Sequence, residues 1–207
     1  MKEWDERFAR KGELWGDEPS LGAKLALDYF ERKKVRKILD VACGYGKDSL
    51  HLARKFEVVG IDSSVVGIRM AGERATEKGL SAKFLLGDVR MMPFPPESFD
   101  GILCNGILAH MINAERPKVA SEIERVLRRG GCLVVSEFSA DRKPEGAKEV
   151  EPGSFREHDN MIHHYFSKQE LQALFPTVEV ELSEEREEKR REGRKARLKW
   201  VMAGVKR

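Results

Sequence analysis

No apolar stretch of this chain approaches the roughly 20 residues needed to cross a bilayer, so a membrane-spanning helix is not expected. Met1-Lys2-Glu3-Trp4-Asp5 has no apolar run behind it and does not read as a signal peptide. Cysteine is scarce: Cys43, Cys104 and Cys132 each fall in or beside an expected core strand. An odd count without metal-like spacing is no disulfide framework, and histidine and cysteine form no metal pattern, so no metal is expected. A reducing cytosol is the simple reading, giving a cytoplasmic protein. Neither sign of charge dominates. Lys plus Arg is 38 against 35 for Asp plus Glu, a formal +3, which argues against a dedicated nucleic-acid binder while leaving room for a local basic patch. Internal repeats are absent, and oligomeric state has no signature.

What remains is a chain of 207 residues, enough for one domain with a full core. Charged residues make up 35% against a usual quarter, as in surfaces laced with ion pairs. Its organising stretch is Lys37 to Ser49. Ile38, Leu39 and Val41 suit a strand covered on both faces, and Ala42, Gly44 and Gly46 allow a sharp turn and a close backbone approach to a ligand. The following helix offers unpaired N–H groups to an anionic or polar ligand. Two common fingerprints are missing here. Gly44-Tyr45-Gly46-Lys47-Asp48-Ser49 ends in Ser where a dinucleotide loop has Gly, and Asp48 stands where a phosphate loop has Ser or Thr. Phe56 to Asp62 is a second strand ending in an acid able to accept both hydroxyls of a ribose. Ala82 to Val89 is a third, ending in Gly87-Asp88. Phe99 to Asn105 is a fourth, entered through Met92-Pro93-Phe94-Pro95-Pro96.

Asp40-x-Ala42-x-Gly44-x-Gly46, with Ala in place of the first Gly, resembles the first motif of the class I S-adenosylmethionine-dependent methyltransferases. The motifs at Asp62, Gly87-Asp88 and 92–100 follow in that family's order and cover residues 38–105. The resemblance implies an α/β fold: a single domain with a doubly wound, Rossmann-like, seven-stranded sheet, mostly parallel, with an antiparallel C-terminal strand inserted between the fifth and sixth. It implies S-adenosylmethionine as cofactor, S-adenosylhomocysteine as product, and a cofactor-binding set of Asp40, Ala42, Cys43, Gly44, Gly46, Asp62, Ser63, Asp88, Val89 and Asn105. The N-terminal Trp4-x-x-x-Phe8 and Trp15-Gly16 pattern is most similar to tellurite-resistance-type small methyltransferases.

The rest of the chain is expected to serve that core, 37–138. Residues 1–36 read as a helical lid segment, with Trp4 packed on the core and Trp15, in a turn, the better ligand candidate. Ser20 is expected to cap a helix through Arg32, and Ser63-Ser64 one through Lys78. A helix over 115–128 is stopped by Gly130-Gly131, and 132–138 is strand five. Residues 139–166 read as a polar substrate or lid loop. Residues 167–207 read as a Ser167-capped helix and a hairpin of 178–182 and 198–205, with the charged 184–197 stretch a solvated extension between them.

The cofactor supplies the electrophile in methyl transfer, so the protein binds, orients and excludes water, and a base is needed only for a protonated acceptor. Catalytic candidates are His110 after strand four and Tyr165; substrate candidates are Trp15, His110, Glu137, His163 and Tyr165. His163 and Tyr165 share one face of an extended segment and His164 the other. The Asn/Asp-Pro-Pro-Tyr/Phe signature of base-amine methylation is missing at 105–108. A small-molecule acceptor is therefore the leading reading. The alternatives are an RNA or protein methyltransferase using the charged hairpin, a nucleotide-binding oxidoreductase, and a non-catalytic binding module.

Overall fold

The computed structural model describes residues 2–144, 146–157, 160–189 and 196–207. Two helices come first, α1 (Lys2–Lys11) and α2 (Leu21–Arg32), the second capped by Ser20, whose hydroxyl accepts from the Ala23 amide. Alternation follows: β1 (Lys37–Val41), α3 (Lys47–Leu52), β2 (Glu57–Asp62), α4 (Val65–Glu77), β3 (Ala82–Leu86), β4 (Phe99–Asn105), α5 (Arg116–Val126) and β5 (Leu127–Phe138). Short strands β6 (Lys148–Glu151), β7 (Ser154–Arg156) and β8 (Ile162–His164) precede α6 (Lys168–Ala173) and the hairpin β9 (Val178–Glu188) and β10 (Arg197–Lys206).

The main sheet has seven strands in the order β3-β2-β1-β4-β5-β10-β9, parallel except for β10, which runs antiparallel to both neighbours. This is the expected topology, with the last strand inserted between the fifth and sixth. Ile38, Leu39, Ile102, Leu103, Leu133 and Val135 are fully buried, as strands covered on both faces require. One core layer joins β1, β4 and β5 to α5 and α6; the other packs α2 against the opposite face. The strand order changes direction between β1 and β4, and ligands of open α/β sheets bind outside the carboxyl ends of the strands at such a point. Among the described residues no helix is long and apolar enough to cross a membrane.

Two expectations need correction, and a third, the hairpin extension, is made definite. Helix α5 ends at Val126, because buried Leu127 pairs with Phe99 and draws the chain into the sheet; the ladder shifts register and resumes at Gly101 with Cys132. The 139–166 stretch is no irregular loop but carries a three-stranded antiparallel sheet, β6-β7-β8. Arg116 on α5 anchors it by bonding Glu151 and the Ser154 hydroxyl, with His164 bridging Ser154 to Glu170. Finally, the charged run continues the hairpin as ordered strand through Glu188, whose carboxylate accepts from the Leu21 amide and pairs with Lys199. Residues 190–195 of that run lie outside the described residues.

Candidate functional site

The turn after β1 reverses on three left-handed residues, Ala42 (φ 59°), Gly44 (φ 55°) and Gly46 (φ 76°). Ala42 tolerates this at a cost of about 1–2 kcal/mol, which the surrounding contacts must hold. Asp62 at the end of β2 braces the turn: its two oxygens accept from the Gly44 and Ser64 amides, each at 2.8 Å. Burial raises the Asp62 pKa against those bonds. Asp40 lies deeper, with Ser49 of α3 donating to it at 2.5 Å, and burial followed by the neighbouring Asp48 pushes its pKa up to about 8.

Over this turn lies α1. Asp5 accepts from the Ser64 hydroxyl (2.6 Å) and the Val66 amide (3.1 Å), docking α1 onto the start of α4. Phe8 is buried so closely on Gly44 that a Cβ there would stand 3.2 Å from its ring. Trp15 stacks on Tyr45 at 5.9 Å, and the Tyr45 hydroxyl accepts from the Trp15 amide and donates to the Gly16 carbonyl. Trp4 bridges from Phe8 (6.0 Å) to His110 (5.1 Å). An aromatic cover thus runs from the glycine turn to the segment after β4.

At that segment His110 stands edge-on to His163 (4.8 Å), and His163 Nδ1 lies 2.5 Å from Glu157. Tyr165 donates to the same Glu157 oxygen at 2.5 Å, so His163 and Tyr165 do share a face, while His164 turns away to Ser154 and Glu170. Glu137 is fully buried and accepts from the Leu108 (2.9 Å) and Ala109 (3.2 Å) amides; burial pushes its pKa to about 7 against nearby Lys199 and those two bonds. It holds the His110 segment in place, with each carboxylate oxygen engaged by a backbone amide.

A family model for the methyltransferase domain matches residues 38–131. A demethylmenaquinone methyltransferase from Thermus thermophilus is 35% identical over 136 residues, 62% of this chain and 60% of that protein. A solved S-adenosylmethionine-dependent methyltransferase from Methanosarcina mazei superposes with a TM-score of 0.74 at 29% identity, covering 82% of this chain and 92% of the other. The chain is similar to the class I S-adenosylmethionine-dependent methyltransferases. It spans between 26% and 49% of the length of three curated methyltransferases, from Arabidopsis thaliana, Streptomyces halstedii and Rauvolfia serpentina. The fold is shared with a Burkholderia thailandensis 1,6-didemethyltoxoflavin-N1-methyltransferase solved with 1,6-didemethyltoxoflavin and S-adenosylhomocysteine bound (TM-score 0.69, 18% identity, 98% and 82% covered).

Against that family pattern, the residues divide. Ala42, Gly44, Gly46, Asp62 and Ser63 come together at one turn. The Cys43 sulfur packs against Gly60 and donates weakly to the Gly44 carbonyl at 3.8 Å. The Asp88 carboxylate is gripped by Arg90, whose Nε and Nη2 approach to 2.7–3.0 Å and lower its pKa; Arg90 also pairs with Glu115. Val89 is buried. Asn105 is engaged elsewhere: its amide donates to Asp48 (3.0 Å) and accepts from Lys199 (3.1 Å), tying β4 to α3 and β10. Sequence reasoning missed Tyr45, Arg90 and Glu157. The aromatic between two turn glycines was the one available signal for Tyr45; Glu157 lay in a polar run without periodicity.

Proposed function

We propose that this methyltransferase domain binds S-adenosylmethionine at the turn 42–46 and catalyses methyl transfer to a small-molecule acceptor bound under Trp4 and Trp15, beside His110. The observation that carries the reading is the left-handed turn braced by Asp62 at the sheet's order change. Its donor set fits an adenosyl group. A carboxylate has about four acceptor sites, so Asp62 can hold ribose hydroxyls while keeping its two amides. Asp88 can accept from the adenine amino group while paired with Arg90. Bound there, the cofactor supplies an electrophilic methyl carbon. The chain's own part is to position and to dry the site. Asp5 docks the lid helix, Phe8 and the tryptophans exclude water, and Glu137 fixes the segment bearing His110. The Trp4, Phe8 and Trp15 pattern that resembles the tellurite-resistance type is this cover. Three free cysteines are in keeping with a cytoplasmic setting.

Methyl-labelled S-adenosylmethionine tests the reading. Incubated with the protein and a cell extract, label should enter the small-molecule fraction. Label entering only RNA or protein would overturn the acceptor class.

A further inference from the structure

The outer face of α3 carries charged groups that methyl transfer leaves unused. Lys47, His51 and Arg54 are spaced by four and then three residues, so they leave α3 and the turn after it on one side. Lys24 of α2 and Lys78 at the end of α4 join them, and the five line a cavity of about 360 Å³. Small-molecule sites occupy roughly 300–1,000 Å³. The remaining charged wall is the segment before α2, with Asp17 and Glu18.

Two of the cations are partly spent. Lys47 pairs with Asp48 at 3.3 Å, but Asp48 already accepts from the Ser20 amide (2.8 Å) and the Asn105 side chain (3.0 Å). Lys78 pairs with Asp17 at 2.9 Å, and that carboxylate is shared with Arg74. Lys24 and Arg54 are exposed, and their side chains make no hydrogen bond or ion pair among the described residues. His51 Nε2 is buried without a hydrogen-bond partner among them. Burial and then Arg54 lower the His51 pKa, and Lys24 adds to this; Asp48 and Asp28 oppose it. The imidazole is therefore neutral at pH 7 and sits in a net cationic surrounding.

We infer that this cavity binds a small molecule bearing a phosphate or diphosphate group. A carboxylate would bring one negative charge to four lysine and arginine side chains. A phosphate brings nearly twice that and three acceptor oxygens, so Lys24 and Arg54 gain partners while Lys47 and Lys78 keep theirs. Asp17 and Glu18 line the same cavity and the whole chain carries only +3, which favours one compact anion over a strand of repeating phosphates. None of the lining residues belongs to the proposed cofactor set, although Lys47 directly follows Gly46.

Calorimetry with inorganic pyrophosphate, at constant ionic strength on protein saturated with S-adenosylhomocysteine, tests the site. One pyrophosphate should bind per chain. Lys24→Gln and Arg54→Gln should each weaken it about fivefold, the loss of one charge-assisted contact near solvent. Lys118→Gln removes the same charge from an exposed position on α5, across the sheet, and should change binding by less than about twofold. All three substitutions alter exposed side chains, and thermal melts check that each variant folds. In protein labelled at the histidine ring nitrogens, pyrophosphate should raise the His51 pKa. No binding, equal losses in the three variants, or an unmoved His51 pKa would overturn the inference. Binding that S-adenosylhomocysteine abolishes would place the anion at the glycine turn and overturn it too. So would a short oligouridylate that outbinds pyrophosphate and weakens in the same two cavity variants, because the ligand would then be RNA.

Discussion

Replacing Gly46 by Ala should destabilise the protein by about 2–5 kcal/mol, and the structure divides that cost in two. Gly46 has φ 76°, where an L side chain costs about 1–2 kcal/mol. Its new Cβ would also stand 2.9 Å from the Ala71 Cβ and 3.1–3.2 Å from two Phe84 ring carbons. Both neighbours are pinned, Ala71 on α4 and Phe84 on β3, so overpacking adds about 1–3 kcal/mol. Gly106 is the control: it has φ 78°, but its Cβ would meet nothing within 4 Å. Gly106→Ala should therefore show the backbone cost alone, and both variants gain the same small amount from a stiffer unfolded chain. Urea unfolding with unchanged m-value measures the difference. Equal destabilisation of the two variants would refute the claim that α4 and β3 clamp the turn.

Asp62→Ala should weaken S-adenosylhomocysteine binding by about 1–3 kcal/mol; it should also lower stability by a similar amount, because the Gly44 and Ser64 amides lose a charged acceptor. Unchanged affinity in a folded variant would remove Asp62 from the site. Asp40 titrates near 3.8 when unfolded and at about 8 when folded, so the folded state binds the extra proton and stability falls as pH rises through that window. Asp40→Asn can still accept from Ser49 but cannot ionise; its stability relative to wild type should improve as pH rises from 6 to about 8 and then level off in parallel thermal melts. A pH-independent offset would show that Asp40 does not titrate there. Tyr29→Phe removes the 2.9 Å bond to Glu181 and should cost about 1 kcal/mol in the same unfolding assay; no loss would mean that water replaces the bond equally well.

The parts of this fold that were legible in the sequence are those governed by local rules. Phe99–Asn105 is a strand over the range its apolar residues mark, and Ser20 and Ser167 cap helices because a hydroxyl there satisfies an orphan amide. The period of two placed His163 and Tyr165 on one face, and both reach Glu157. The β6-β7-β8 sheet escaped notice because buried polar bonds hold it where no apolar period shows; Arg116 reaches Ser154 across 38 residues. Glu137 and Asn105 looked like ligand groups for the same reason. Each sits at the carboxyl end of a strand, and only the packed structure shows that their polar atoms are already taken by amides, Asp48 and Lys199.

Calorimetric titration of the purified protein shows most directly what the turn at 42–46 holds. S-adenosylmethionine and S-adenosylhomocysteine should bind with micromolar affinity and NADH should give no heat. NADH binding in their stead would contradict the reading of this turn as an adenosyl-sulfur site.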